Sequence, residues 1–117
     1  MNEDSGSHYM QPNILHTLQA CATKCEHITH MIAHMPDISH RRSQILIVSD
    51  CADICTLMVK YVARASFFSH KLAECCAYIC GMCAAECMKY PDPDSRHCAA
   101  ICQQCANECQ QYAHYQQ

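Results

Sequence analysis

Tryptophan is absent, and the chain holds only two phenylalanines, two glycines and four prolines. A sheet protein needs β-branched and aromatic runs bounded by turn residues, so this scarcity disfavours one. Positive charge is also short. Eight Lys and Arg stand against eleven Asp and Glu, a formal net charge of −3 with His neutral, which leaves no basic footprint for nucleic acid. No run approaches the ~18 apolar residues of a membrane span. Residues Met1 to Gln11 are polar, include two acids and lack a hydrophobic h-region, so no signal peptide is visible and the expected location is cytoplasmic. With 117 residues the chain is one domain, large enough for its own core.

What the chain does have is cysteine, thirteen in all. The stretch Cys76-Ala77-Tyr78-Ile79-Cys80-Gly81-Met82-Cys83-Ala84-Ala85-Glu86-Cys87 spaces four of them 4, 3 and 4 apart. On an α-helix turning about 100° per residue, these fall within roughly 60° of one another, on one face. The spacing recurs at Cys98, Cys102, Cys105 and Cys109, and in half form at Cys21/Cys25 and Cys51/Cys55. Twelve cysteines therefore occupy positions where a helix bundle places core leucines. A secreted disulfide scaffold is disfavoured by the odd number, the lack of an export signal and the helical periodicity. Cysteines four apart on one helix also rarely meet disulfide geometry.

Residues 1–12 read as a disordered N-terminal segment, with the bundle over 13–117. Asn13 is the expected N-cap of a first helix running to about Met35, whose inward positions are Ile14, Leu18, Cys21, Cys25, Ile28 and Ile32. Pro36 ends it, and Asp37 or Ser39 can cap a second helix to about Ala65. Its inward series is Gln44, Val48, Cys51, Cys55, Met58 and Val62, with Gln44 expected near a water-accessible end. A tight turn is placed between Ser66 and Ser69, then a third helix to about Tyr90. Pro91-Asp92-Pro93-Asp94 is a clear break, with Asp94 or Ser95 capping a fourth helix to about His114. Four helices with short connections imply an all-α, antiparallel up-down-up-down four-helix bundle with a Cys-lined core.

Chain direction sets heights along such a bundle. Cys87 and Cys98 lie near one end, and Cys76 and Cys109 about 16 Å further along. Cys21, Cys25, Cys51 and Cys55 are expected opposite the upper part of this column. Leu18, Met58, Val62, Phe68, Leu72 and Tyr112 are expected to plug that upper end, while Met31, His34, Met35 and His40 rim the other.

As structure alone, cysteine is a poor core residue. Each gives up contact that Leu would supply, on the order of 1–2 kcal/mol per site. Thiolates are soft ligands that select Cu(I), Zn(II) or iron–sulfur clusters. Charge separates these. Cu(I) displacing a thiol proton leaves the core charge unchanged, whereas Zn(II) on four thiolates carries a net −2 into an apolar tube whose core face shows no cationic partner. Cys80-Gly81-Met82-Cys83 and Cys102-Gln103-Gln104-Cys105 have the C-x-x-C form, but each is embedded in a longer helical series rather than in a ferredoxin-like loop. No βαβ pattern supports a thioredoxin-like motif. Many Cu(I) ions per chain fit best, with an iron–sulfur electron carrier and a zinc-buffering, metallothionein-like protein as the alternatives.

The helical C-x-x-x-C pairs, the doubled Cys series of the last two helices and the Met/His rim resemble the bacterial copper storage proteins, and the lack of a visible leader matches their cytosolic branch. The resemblance covers about residues 13–114. It implies a four-helix bundle filled with Cu(I)-thiolate sites, a homotetramer, and sequestration of copper rather than catalysis. It also implies copper ions as cargo, exchanged with a donor or acceptor protein or a small thiol. Ligand roles carry over onto Cys21, Cys25, Cys51, Cys55, Cys76, Cys80, Cys83, Cys87, Cys98, Cys102, Cys105 and Cys109.

Several residues have two readings. Cys75, about 100° off the inward face, is either a boundary thiol or a flanking small residue. His27, His30 and His34 form a stripe that is either a solvated face or an accessory metal site, since histidines three or four apart can share an ion. Met31, Met35, His34 and His97 are either ordinary residues or a copper entry site. Met58 reads as core. No E-x-x-H pair is present, which argues against a di-iron carboxylate bundle.

Overall fold

The computed structural model describes the backbone of residues 2–114 and the side chains of residues 14–114. Four helices follow in order: α1 (Asn2–Ile32), α2 (Arg42–Ala63), α3 (Ser69–Cys87) and α4 (Pro93–Ala113). A short 3-10 turn, Ile38–His40, leads into α2. Each helix packs on its sequence neighbours, and α4 closes the ring against α1. This is the expected four-helix bundle. α1 is assigned from Asn2 rather than from the residue after Asn13. The side chains of residues 1–13 lie outside the described set, and so does the expectation of a disordered segment over 1–12.

The inward series hold residue by residue. Ile14, Leu18, Cys21, Cys25, Ile28 and Ile32 are all buried on α1, and Gln44, Val48, Cys51, Cys55, Met58 and Val62 on α2. A 4-3 rhythm keeps one stripe facing the bundle axis, so apolar side chains and thiols share a single core. Small residues beside the thiols, such as Ala52, Ala73, Ala84, Ala99 and Ala106, are buried as well.

The helix ends differ from expectation in their chemistry. Neither Asp37 nor Ser39 caps α2: its N-cap is Arg41, with no side-chain cap bond. Asp37 instead pairs with the Arg41 guanidinium, its Oδ2 accepting from Nε at 3.0 Å. On α4 the cap is Asp92, whose Oδ2 accepts from the Ser95 N–H at 2.9 Å with Pro93 in the first turn, so Asp94 and Ser95 are displaced from that role. α2 stops without Gly. Ala65 takes a left-handed φ of 52°, its N–H bonding the Val62 carbonyl while the Ser66 N–H reaches back to Tyr61, both at 3.0 Å. These two bonds are a Schellman ending.

Candidate metal centre

The twelve periodic cysteines are all 0% exposed, and Cys75 is exposed on the outside of α3. All thirteen are free thiols. The 4-3-4 rhythm of α3 and α4 turns eight sulfurs toward the axis, where they meet two each from α1 and α2. Cys102 Sγ sits centrally, 3.6 Å from Cys83, 3.7 Å from both Cys21 and Cys25, 3.9 Å from Cys98 and 4.0 Å from Cys51. Further along the axis, Cys55 lies 3.6 Å from Cys80 and 3.9 Å from Cys76 and Cys105. Cys51 joins the two groups, 3.6 Å from Cys80 and 3.8 Å from Cys21. Cys109 extends the column beyond Cys76 and Cys105, and Cys87 extends it the other way beyond Cys83 and Cys98. The four thiols of α1 and α2 thus contact the middle of the column as well as its upper part. Cys25 in particular faces Cys102 and Cys83.

Two sets of four sulfurs converge within 4.8 Å: Cys21, Cys55, Cys80 and Cys105, and Cys21, Cys25, Cys51 and Cys102. Thiolates holding a metal tetrahedrally at about 2.3 Å lie about 3.8 Å apart, so the column has ligand spacing before any ion is added. No histidine or carboxylate joins these sets among the described residues. Their shared member, Cys21, requires a bridging sulfur if both sets are filled.

Eight of the twelve buried thiols are pushed above the ordinary thiol range, and the other four, Cys21, Cys51, Cys76 and Cys98, are pulled below it by hydrogen bonds with neighbouring thiols. Crowding by Cys105, then Cys21, Cys51 and Cys55, together with burial, holds Cys80 well above the ordinary thiol range. Cys102 is pushed up in the same way by Cys21, Cys25, Cys51 and Cys83 and by burial. Cys21 is pulled down by its hydrogen-bond contacts with Cys102, then Cys105, Cys25 and Cys51, which outweigh its own burial. A thiolate formed at Cys21 is thus solvated by neighbouring thiols instead of by water.

The end near Cys87 overturns two expectations. Gln44 is fully buried, not water-accessible. Its Nε2 donates to Ser95 Oγ at 2.8 Å and to Cys87 Sγ at 3.5 Å, and its Oε1 accepts from Arg41 Nη1 at 3.1 Å. Arg41, only 4% exposed, also places Nη1 2.9 Å from Asp92 Oδ1 and stacks its guanidinium 4.4 Å from the centre of the Tyr90 ring. A buried cation therefore borders the core where none was expected, but Asp37 and Asp92 already balance it. The network joins α2 to the start of α4 and covers the last thiol of α3. Met31 and Met35 are half-buried beside this end, while His34, His40 and His97 are exposed.

The opposite end is closed by Leu18, Met58, Val62 and Tyr112, with Leu72 half-buried. Phe68 is not part of the plug. It is 68% exposed at the α3 N-cap, and Ser69 turns inward instead, its hydroxyl 3.0 Å from Tyr112 Oη. His70 stacks on Tyr112 with ring centres 4.5 Å apart. The polar groups at both ends, Arg41, Ser95 and Ser69, escaped the sequence reading as inward-facing groups, although Arg41 and Ser95 extend an inward series by one step and Ser69 by two. Arg41 lies three residues before Gln44, Ser95 three before Cys98, and Ser69 seven before Cys76.

This geometry has close counterparts. A family model described as copper storage protein matches residues 7–114. The chain belongs to the copper storage protein family. A curated relative, the uncharacterized cysteine-rich protein YhjQ of Bacillus subtilis, is 36% identical over 70 residues, a match covering 60% of this chain and 58% of that relative. The chain thus spans less than two thirds of that relative's length. Among solved copper storage proteins, the Cu(I)-bound BsCsp3 is 29% identical with a TM-score of 0.85, covering 89% of this chain and 98% of its own. The apo form of copper storage protein 3 from Bacillus subtilis gives 29% and 0.82, over 87% and 97%. A cytosolic copper storage protein from Streptomyces lividans, described with five coppers, shares the fold at a TM-score of 0.88 and 22% identity, over 93% and 96%. Among the described residues no helix is long and apolar enough to cross a membrane.

Proposed function

We propose that the chain stores copper in the cytoplasm, holding many Cu(I) ions on the twelve buried thiols Cys21, Cys25, Cys51, Cys55, Cys76, Cys80, Cys83, Cys87, Cys98, Cys102, Cys105 and Cys109, with no catalytic turnover. One observation carries this reading: a continuous column of sulfurs, 3.6–4.0 Å apart and sealed from water, with no unbalanced cation beside it. Each Cu(I) replaces one thiol proton, so loading leaves the core neutral. Family membership and similarity to a Cu(I)-bound relative support the assignment.

The two four-thiol sets also have the shape of tetrahedral zinc sites, which favours zinc buffering as a second reading. Two physical points weigh against it. The sets share Cys21, so they cannot be filled as independent four-thiolate sites, and each Zn(II) would leave net negative charge in a low-dielectric core. Bridging by a shared thiolate suits Cu(I). An iron–sulfur carrier is supported by no compact loop of ligands. A homotetramer, and copper exchange with a protein or small thiol, are further proposals that rest on the family resemblance.

Competition between metals tests this. Protein filled with Zn(II) and then given Cu(I) anaerobically should release its zinc, measured with a chromophoric chelator, while Cu(I)-filled protein should resist excess zinc. Retention of zinc against Cu(I) would overturn storage in favour of zinc buffering. Brown protein absorbing in the visible after aerobic purification would favour iron–sulfur, since Cu(I) is d¹⁰ and colourless.

A further inference from the structure

His30 and His34 take no part in the thiol column. They lie four residues apart on the solvent side of α1, across the helix from Cys25, Ile28 and Ile32, and both are exposed. Their imidazole rings nonetheless meet, with centroids 4.8 Å apart and planes tilted by 57°.

That separation has a chemical meaning. An imidazole nitrogen binds a metal at about 2.0–2.1 Å, which puts the ring centre about 3.2 Å from the ion. Two imidazoles on one ion, at any angle from square to tetrahedral, then have centroids about 4.5–5.2 Å apart. The observed pair falls inside this window.

A second observation concerns the donor atoms. His34 Nδ1 lies 3.0 Å from the backbone oxygen of His30. A carbonyl can only accept, so Nδ1 carries the proton and the lone pair of the neutral ring sits on Nε2. Backbone anchoring of one ring nitrogen, leaving the other free, is the arrangement that orients metal-binding histidines. The spacing is the one that lets two histidines on one helix face hold a single zinc ion.

We infer that His30 and His34 form a site for one divalent cation of borderline softness, Zn(II), Ni(II) or Cu(II), on the outer face of α1. Nitrogen ligands without thiolate favour such ions over Cu(I), which the thiols take. Two protein ligands leave the remaining positions to water, so the ion exchanges readily. The protein thereby keeps two metal populations apart: soft ions inside the bundle and borderline ions outside it.

Zn(II) titrated into anaerobic, Cu(I)-loaded full-length protein tests this, followed by ¹⁵N NMR of the imidazole nitrogens. The ring signals of His30 and His34 should move together and saturate at one zinc per chain, while those of His97 and His114 stay put. His30→Ala and His34→Ala should each raise the apparent Kd at least tenfold with helicity by circular dichroism unchanged, and His97→Ala should leave it as it was. Silence of the two rings, a response no greater than at His97 and His114, or full affinity in either single variant would overturn the site. The readout is ring nitrogen, so it reports on this site whether or not the thiol column takes up copper.

Discussion

Cys102 and Cys75 show how far position, not residue type, decides what a cysteine can do. Cys102 Sγ lies within 4.0 Å of five other sulfurs, so a thiolate there can bridge more than one ion. Cys75 is exposed, on the outer side of α3. Cys102→Ala is therefore expected to remove more than one Cu(I) from the saturated count in an anaerobic titration. Its cost in stability should be modest, about 1 kcal/mol, because the lost atom is small. Cys75→Ser should leave the count unchanged. Equal losses from the two variants would mean that the column does not act as a bridged unit. Both positions follow from helical angle, which is why the buried set of twelve was legible from spacing alone. Gln44 was placed on the correct face but assigned the wrong surroundings. Its partners, Ser95 and Cys87, are 51 and 43 residues away in the chain, and sequence spacing carries no record of such pairing.

Among the elements, the junctions hold the departures from expectation and offer the clearest stability tests. α2 ends on Ala65 in the left-handed region, where a Cβ costs about 1–2 kcal/mol and glycine is the usual occupant. Ala65→Gly should raise the unfolding free energy by up to about 1 kcal/mol in urea melts, less than the relieved strain because glycine also loosens the unfolded chain. A loss would contradict the Schellman ending. At the α4 start, burial disfavours the Asp92 carboxylate, but the Ser95 N–H and hydroxyl and the Arg41 guanidinium outweigh it and hold its pKa below the usual carboxylate value. A group depressed in the folded state contributes stability that is fully present above its unfolded pKa. That contribution fades as pH falls through the lower, folded value. Stability should thus decline on acidification below about pH 4, and Asp92→Asn, which keeps a capping side chain, should flatten that slope. An unchanged slope would remove Asp92 from the acid response. Sequence reading found every break between helices because Pro36, Ser66 and Pro91–Pro93 punctuate the chain. It misplaced the α4 cap because several candidate oxygens crowd that junction, and the choice among Asp92, Asp94 and Ser95 rests on backbone geometry; at α2 the Asp37 carboxylate is drawn to the Arg41 guanidinium instead.

For the molecule as a whole, architecture and site share one cause. The rhythm that makes four amphipathic helices also delivers twelve sulfurs to a single axis, so reading the fold was reading the candidate site. The partners that Arg41 finds and the outward turn of Phe68 lay beyond that rhythm, since both depend on how helix ends meet in space. The central claim is that the column is one continuous thiolate store. It is tested most directly by titrating the reduced, metal-free protein with Cu(I) anaerobically against a competing chelator. Tight uptake on the order of ten or more ions per chain, with the helical signal present before the first addition, is the predicted result. Saturation at one or two ions would contradict it, leaving most of these cysteines as packing.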